Sequence, residues 1–268
     1  MDIRVKRLSM LVVAAMMLFS VSCMIDLDDI DIGNAEIGEL QETSEVVELD
    51  DADRVQVDVR MGTGELQIDG GAAELLEADF AYNIAEWKPE VTYVNGRLTV
   101  RQPDVERIPF STKDSVRYRW ELKLNDGVPM DMELEFGAGD GEVNLGSLAL
   151  DTLDVKLGAG NVSIDMSGND TLERLELDMG AGNLDLDLRG AWTDDVYVNI
   201  QGGVGQIQLE IPTDIGVRVD ATKGIGQINA DGFRLDGGDY VNDAYGESDV
   251  TLNIVLQAGV GQINLNLD

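Results

Sequence analysis

Carboxylates and hydroxyls are the groups that this sequence offers in numbers for chemistry. The chain of 268 residues has 52 Asp and Glu, no histidine and a single cysteine, Cys23. Histidine-dependent triads and thiolate zinc sites are therefore excluded. Because two carboxylates can hydrolyse a glycosidic bond, Asp165 and the pair Asp194 and Asp195 make a carbohydrate-active β-helix protein one alternative. Aromatic residues are only 5% of the chain and form no row beside these carboxylates, so we predict no catalytic residues and no enzyme.

A second group of carboxylates lies in the glycine-rich stretch DGGDYVNDAYGESD near the end of the chain. Such oxygen atoms are the ligands that Ca²⁺ prefers, which makes a calcium-binding β-repeat protein another alternative. The candidate ligands are Asp236, Asp239, Asp243, Glu247 and Asp249. Their spacing does not match an EF-hand loop, and the interpretation that we adopt is a solvated acidic loop with no metal and no cofactor.

The imbalance of charge excludes a class of partner. Nineteen Lys and Arg stand against 52 Asp and Glu, which gives a formal net charge of −33. Nucleic acids and anionic polymers bind basic surfaces, so neither is an expected partner. The hydrophobic fraction of 44% is enough to bury a sizeable core, and the acidic residues are therefore expected on the surface of a folded protein.

The first 22 residues have the pattern of a secretory signal peptide. Three basic residues precede an uncharged run from Leu8 to Ser22, which is shorter than the about 20 apolar residues of a membrane-spanning helix. Small residues end the run directly before Cys23, as in a bacterial lipobox, although Ser20 stands where Leu is usual. We predict export and lipidation of Cys23, with ordinary cleavage after Ser22 as the alternative. The predicted location is the cell envelope, on the outer side of the plasma membrane or on an outer membrane.

The segment that follows, residues 23–45, is acidic and has no extended apolar period. Like charges repel one another and keep such a segment stretched and solvated. It is predicted to be a tether that holds a folded body away from the membrane. The alternative is a strand that docks on that body.

A glycine motif, GxG, recurs seven times in the rest of the chain, and five consecutive units have a pitch of about 22 residues. Apolar and polar residues alternate on both sides of each unit, which predicts strands with one buried face. The glycines of the repeat are Gly62 and Gly64, Gly137 and Gly139, Gly158 and Gly160, Gly180 and Gly182, Gly203 and Gly205, Gly224 and Gly226, and Gly259 and Gly261.

Two all-β architectures fit this repeat: a parallel β-solenoid with about 22 residues per coil, or an antiparallel meander with each GxG at a hairpin tip. The middle residue favours the solenoid, since Ala159 or Val204 suits a corner that points into a coil better than an exposed turn. A polar column after the glycines could form a ladder of amide hydrogen bonds between coils. Its members are Asn161, Asn183, Gln206, Gln227 and Gln262.

The chain is divided by these repeats into a mostly β N-terminal region, residues 46–135, and a GxG-repeat solenoid, residues 136–268. Strand-like runs occur in the N-terminal region within residues 75–102 and at residues 115–125. Aromatic residues concentrate there, and packing in the β core is favoured over a ligand platform. These residues are Trp87, Tyr93, Tyr118 and Trp120.

The order of MGTGELQI, LLEADFAYN, WKPEVTY, WELKLNDGVPMDMELEFGAGDGEVNL and LDVKLGAGNVSI resembles the toast-rack family of bacterial envelope proteins. The resemblance covers about residues 45 to 165, with Leu122, Asn125 and Pro129 in its most specific part. It implies a stacked β architecture, a LiaF-like C-terminal region, a membrane-linked location and no established enzymatic activity. Relatives modulate envelope-stress signalling or carry adhesin names, and no catalytic residues are carried over.

The function predicted from the sequence is therefore a non-enzymatic, lipid-anchored envelope protein that presents a rigid β-stack for binding, adhesion or envelope-stress responses. Its partner is expected to be a protein or a cell-wall polymer. The chain ends on a strand, so weak self-association through an open edge at residues 250–268 is also expected.

Overall fold

The alternating pattern forms β-strands along almost all of the chain that the structure describes. The structure is a computed structural model that describes residues 37–104 and 116–268. Within these ranges there is no α-helix, one 3₁₀ turn covers Ala85–Trp87, and no helix is long and apolar enough to cross a membrane. The all-β prediction is confirmed. The strands are β1 Gln41–Val47, β2 Val55–Asp69, β3 Leu76–Tyr82, β4 Glu90–Val94, β5 Arg97–Arg101, β6 Tyr118–Leu124, β7 Met130–Asn144, β8 Leu150–Asp165, β9 Arg174–Asp187, β10 Val196–Ile211, β11 Gly216–Asp231, β12 Arg234–Asp236, β13 Asp239–Val241 and β14 Thr251–Leu267.

These strands form one open sheet in the order β1-β3-β6-β2-β7-β8-β9-β10-β14-β11-β13-β12, and β5 and β4 extend from β2. Seven long strands, β2, β7, β8, β9, β10, β14 and β11, lie side by side in parallel and make up the centre of the sheet. Antiparallel pairs flank them, with β1, β3 and β6 at one end and β13 and β12 at the other. The mostly parallel sheet is the framework for every site described below.

Each GxG unit lies in the middle of a long strand. Gly160 in β8 is paired with Gly139 in β7 and Gly182 in β9, and parallel pairing continues on both sides of the glycines. The alternative of an antiparallel meander with GxG at hairpin tips is therefore wrong for the repeats.

The core residues explain why the glycines lie inside the strands. In β8, Val155 and Leu157 are buried before the GxG unit, and Val162 and Ile164 are buried after it. Leu157 and Val162 are five positions apart, so strict alternation would put them on opposite faces. Gly160 has φ +138°, a conformation that glycine adopts without a steric cost, and the local change in backbone direction brings both halves of the strand onto one core.

The C-terminal strand occupies an unexpected position. β14 lies between β10 and β11 and pairs with both of them over its whole length. The prediction of an open edge at residues 250–268 is wrong, because those residues form an interior strand. Among the described residues the open edge belongs to β11, whose side away from β14 is paired only at Arg218 and Val219, with β13.

The N-terminal region is built from the strands that the sequence predicted there, β3, β4, β5 and β6. β1 pairs with β3 from Gln41 to Val47. Residues 41–45 therefore lie in a docked strand, which was the alternative to the predicted tether. The remainder of that segment before residue 37, the signal peptide and Cys23 lie outside the described residues.

Candidate binding groove

An open groove of about 1560 Å³ crosses five adjacent parallel strands, from β2 to β10. Its floor follows the first glycine of five repeats. These glycines are Gly62, Gly137, Gly158, Gly180 and Gly203. The repeats therefore line up bare backbone across the sheet, and the groove runs at right angles to the strands.

Glycine is required at both positions of the motif by the distance between neighbouring strands. A Cβ atom on Gly158 would overlap the carbonyl oxygen of Gly137, and one on Gly160 would overlap that of Gly139. An overlap with the backbone of a neighbouring strand recurs at the other repeat glycines except Gly62, where an added Cβ would meet only the side chain of Gln102. The motif thus keeps the strands close together, and the groove lining combines these glycines with the apolar residues beside them, Met61, Phe136, Leu157 and Met179.

A row of polar side chains borders the glycine floor on its solvent side. The pairing of the strands sets these residues opposite one another, each two positions before the first glycine of its repeat. In order across the sheet they are Arg60, Glu135, Lys156, Asp178 and Gln201. Positive and negative groups therefore alternate along the first four strands of the groove.

The half of the row nearest β2 is satisfied by ion pairs. Arg60 donates two hydrogen bonds to Asp58, at 2.7 and 3.0 Å, and these raise the pKa of the guanidinium. Lys156 donates to Glu133 at 2.9 Å and thereby lowers the pKa of that carboxyl group. These bases are held in place by carboxylates and are not free to act as anion-binding groups.

The other half of the row is unpaired. Asp178 and Gln201 lie opposite each other on β9 and β10, and both side chains are exposed. Within residues 37–104 and 116–268, neither side chain makes a hydrogen bond or an ion pair. A carboxylate and an amide at this spacing can accept and donate hydrogen bonds to the same ligand.

The wall at the β2 end contains Gln102 and Trp87. Gln102 accepts a hydrogen bond from the backbone N–H of Gly62 at 2.8 Å. Trp87 is 3% exposed, and among residues 37–104 and 116–268 the indole N–H groups of Trp87 and Trp120 both lack a hydrogen-bond acceptor. Tyr118 donates to the carbonyl oxygen of Trp87 at 2.7 Å, and burial strongly raises the pKa of this phenol. The sequence analysis favoured packing in the core for these aromatic residues, and Tyr118 and Trp120 are buried there. Trp87 is buried as well, but it also lines the groove.

Each long strand bends where the backbone changes direction at its GxG unit. The middle residues of these units form a ridge on the outside of the bend. Val204, Val260 and Ile225 are aligned in neighbouring strands and are 55%, 44% and 74% exposed. Ala159 and Ala181 are exposed in the same row. The expectation that this residue points into a coil is wrong, because at the bend its side chain lies on the outer face of the sheet.

The predicted amide column forms a ladder over part of the sheet. Asn183 donates to Asn161 at 2.8 Å, and Asn161 donates to Asp140 at 3.0 Å. On β14 the pattern changes, since Gln262 donates to Asn264 of its own strand at 2.7 Å. Gln206 and Gln227 lie opposite Gln262 in the neighbouring strands, but no hydrogen bond joins these side chains.

The carboxylates that we considered for calcium are not brought together. Asp239 forms an ion pair with Arg218 at 2.6 Å, and Asp236 lies 3.5 Å from Arg234. In the described part of the chain, no group of three or more Asp, Glu, His or Cys side chains could hold a metal ion. The acidic stretch therefore uses its carboxylates in local pairs or leaves them in solvent.

The carboxylates that we considered for glycoside hydrolysis lie away from the groove and serve the local chain. Asp165 accepts a hydrogen bond from the backbone of Ser167 at 2.7 Å, and Asp195 accepts one from the backbone of Thr251 at 2.8 Å. Asp194 accepts one from Thr193 at 3.3 Å. The sequence analysis missed the polar row of the groove, although reading the position two residues before each first glycine would have revealed it.

The likeness to known families follows the same repeats. A family model described as the N-terminal domain of toast_rack, DUF2154, matches residues 36–171, half of the chain. The chain belongs to the toast-rack family. A second model of the C-terminal domain of the cell wall-active antibiotics response protein LiaF matches residues 167–265. The two models meet between β8 and β9, whereas the boundary predicted from the sequence, between residues 135 and 136, falls inside β7.

Solved structures include a relative of this toast-rack protein. A protein from Clostridium sporogenes with a proposed role in cell adhesion is 31% identical, with a TM-score of 0.65. The match covers 86% of this chain and 100% of that one. A proposed adhesin from Bacteroides fragilis is 11% identical with a TM-score of 0.34, covering 85% of this chain and 97% of that one. A comparison with the curated proteins gave no match.

Proposed function

We propose that this toast-rack protein is a non-enzymatic envelope protein that presents its parallel sheet as a rigid binding surface. The observation that carries the proposal is the groove across five strands, in four of which a Cβ at the first glycine of the repeat would overlap the backbone of the neighbouring strand. The relative with a proposed role in cell adhesion supports an adhesive function, and the LiaF-like C-terminal match supports a link to envelope stress. The binding partner is a protein or a cell-wall polymer.

We also propose that the repeats form a solenoid-like stack, in which each strand curls so that it ends beside the start of the next. Connection lengths support this. β7 has 15 residues and would be about 50 Å long if it were straight. Only five residues separate Asn144, at its end, from Leu150, where the parallel strand β8 begins. A connection of this length reaches about 20 Å, so β7 has to bend back.

The protein is attached to the membrane, in this proposal, through a lipid on Cys23. One lipid chain alone binds a membrane weakly, and stable anchoring requires the several acyl chains of a bacterial lipoprotein. In cells grown with a radioactive fatty acid, the wild-type protein is expected to carry label and to sediment with membranes. Cys23→Ser is expected to lose both properties. Membrane association that persists in the unlabelled variant would contradict the lipid anchor.

The binding function is tested separately, with the full-length protein in membranes of its own organism. A photo-crosslinking amino acid replaces Asp178, at the groove, or Asp185, seven residues later on the same strand and beyond the bend. Both side chains are exposed, so neither replacement disturbs the core. We expect an envelope component to be captured from position 178 and not from position 185. Equal capture from both positions would show that the groove is not the binding surface.

A further inference from the structure

We propose that the strands at the open end of the sheet can adopt two orders, in which β14 lies either between β10 and β11 or on the outer side of β11. The structure has the first order, β10-β14-β11. The second order, β10-β11-β14, follows the chain and makes β14 the open edge of the sheet. The observed order therefore conceals an apolar strand that the second order presents to another polypeptide. This property is independent of the groove and of what binds there.

The backbones of the three strands are in the same register. Val204 of β10 and Ile225 of β11 both lie opposite Val260 of β14, and the two registers continue along the length of β10 and β11. If β14 leaves its place, β11 therefore meets β10 with Gly226 opposite Gly205. Both glycines have φ +145°, and neither carries a Cβ atom that would prevent the close approach of the strands.

The core-facing side chains of β10 and β11 match as well. Ile207 and Ile228 lie opposite Ile263 from its two sides. Val198 and Val219 are likewise opposite a single residue of β14. In the second order these residues become direct neighbours, so apolar side chains still pack on apolar side chains. Both orders also contain two parallel pairs among the three strands, which keeps most of the backbone hydrogen bonds.

The connections between the strands suit the second order. Residues 212–215 connect β10 to β11 and cross two strand spacings, about 9.6 Å. The connections from β7 to β8, from β8 to β9 and from β9 to β10 are longer, yet each crosses one spacing. Residues 232–250 connect β11 to β14 and are long enough to place β14 on either side of β11. Among the described strands, only β13 has to make way, at Arg218 and Val219.

The side chains of β11 explain why the structure has β14 inside. Leu256 and Leu265 of β14 face the core and are buried. Opposite them β11 has Ala221 and Ala230. Lys223 follows two positions after Ala221, on the same side of the strand, and is exposed. An interior strand is covered from both sides, so it gains more from leucine than from alanine, and a lysine there loses hydration.

Disulfide formation in the folded protein reports the strand order. The exported chain carries Cys23→Ser, which removes its single cysteine. The exchange pair is Gln208→Cys with Asn229→Cys, at positions that lie opposite Asn264 from its two sides. They are about 9.6 Å apart in the observed order, which is too far for a disulfide. In the second order the two positions are adjacent.

A control pair has the same spacing across a strand that is held in place. Ser163→Cys and Gln208→Cys lie on either side of Asp185 in β9, and short connections join β9 to both of its neighbours. This pair can crosslink only when the sheet unfolds. In a glutathione buffer at low protein concentration, we expect the exchange pair to crosslink within one chain at least tenfold faster than the control pair. Equal rates would mean that the strand order is fixed and would overturn the proposal.

Hydrogen exchange after crosslinking of the exchange pair locates β14. Alternate residues of an interior parallel strand bond to its two neighbours, so a strand at the edge keeps about half of its backbone hydrogen bonds. We expect about half of the amides of β14 to stay protected. Loss of protection at all of them would mean that β14 is released and has no second place in the sheet, which would overturn the second order.

A triple variant tests whether β11 selects the observed order. Ala221→Leu, Lys223→Ala and Ala230→Leu give β11 the apolar character of an interior strand. All three positions are at least partly accessible, so the new side chains fit without repacking of the core. We expect the exchange pair to crosslink at least tenfold faster in this background, while the control pair crosslinks no faster. An unchanged rate for the exchange pair would contradict the selection by β11.

Discussion

The two ends of the parallel sheet are completed differently. At the β2 end, β6, β3 and β1 continue the sheet, and an aromatic cluster fills the core beneath them. Trp120 contacts Phe80 and Tyr118 edge to face, with ring centroids 5.5 and 5.7 Å apart. At the β11 end, the segment from Asp220 to Asp231 pairs with β14 on one side and has no strand on its other side among the described residues. One end is closed and the other is open.

The burial of core residues also differs between the two ends of the sheet. Ile263 of β14 is 1% exposed, whereas Ile228, its neighbour in β11, is only partly buried. Stacked repeats gain stability from contacts with their neighbours, and a terminal repeat without a cap lacks half of these contacts. The groove lies near the closed end, where its walls are supported from both sides, and the open end leaves backbone groups available for pairing.

Replacing the second glycine of a repeat has the largest expected effect, and the effect depends on its position. In Gly160→Val the side chain overlaps the carbonyl oxygen of Gly139 and forces a residue with a Cβ into φ +138°. Strain and overpacking together cost about 5 kcal/mol. Gly226→Val meets the same overlap with Gly261, but β11 has a neighbour on one side only and can move away, so we expect about half that loss.

Chemical denaturation measures both variants, and Ala159→Val is the matched control. Ala159 is exposed between the two glycines, and valine already occupies the equivalent position at Val204. We expect the unfolding free energy of this control to stay within about 0.5 kcal/mol of the wild type. Equal losses in the two glycine variants would mean that the open end is as constrained as the interior.

Truncation of one buried side chain at each end comes next. Trp120→Ala empties a fully buried site in the closed end and is expected to cost about 4 kcal/mol. Ile228→Ala, at the open end, removes a side chain that already contacts water and is expected to cost about 1 kcal/mol. The comparison uses thermal and denaturant unfolding of both variants. A similar loss in both would show that another part of the protein covers Ile228.

The features that could be predicted from the sequence, the strands and their bends, depend on residues close together in the chain. Alternation around Gly160 identifies strands because a buried face repeats every second residue, and paired glycines identify a bend because only glycine fits close backbones. The position of β14 between β10 and β11 could not be predicted from the sequence, because near-identical repeats pair equally well with either neighbour. The groove was missed for a related reason: Arg60, Asp178 and Gln201 become neighbours only through the strand order, and singly each is an ordinary exposed residue.

Alkaline pH is expected to weaken the closed end. Burial raises the pKa of Tyr118, and burial with a hydrogen bond to Asp50 raises the pKa of Tyr93 to about 12. A tyrosine in the unfolded chain ionises near pH about 10, so folding favours the protonated form and the unfolding free energy falls as the pH rises above that value. Tyr118→Phe, measured by denaturation from pH 8 to 11.5, is expected to lower stability at pH 8 and to flatten the alkaline decline. An unchanged slope would assign the decline to other groups.

Weak self-association through the open end is the smallest effect that we expect. The unpaired backbone from Asp220 to Asp231 can accept a strand of a second copy, and Ile225 adds an exposed apolar side chain beside it. The two aspartates oppose this association between chains of net charge −33, so dimers should form only at high protein concentration and in salt that screens the repulsion. Sedimentation equilibrium in low and high salt measures it.

Two lysine substitutions distinguish a dimer that forms through the open edge of β11 from one that forms through the apolar ridge. Ile225→Lys places a charge on the open edge, while Val204→Lys places the same charge at the equivalent exposed position of the interior strand β10. If the edge is the contact, only Ile225→Lys abolishes the dimer, because Val204 lies two strands away from the unpaired backbone. If the apolar ridge is the contact, both substitutions abolish it equally, and the open end of the sheet takes no part in the association.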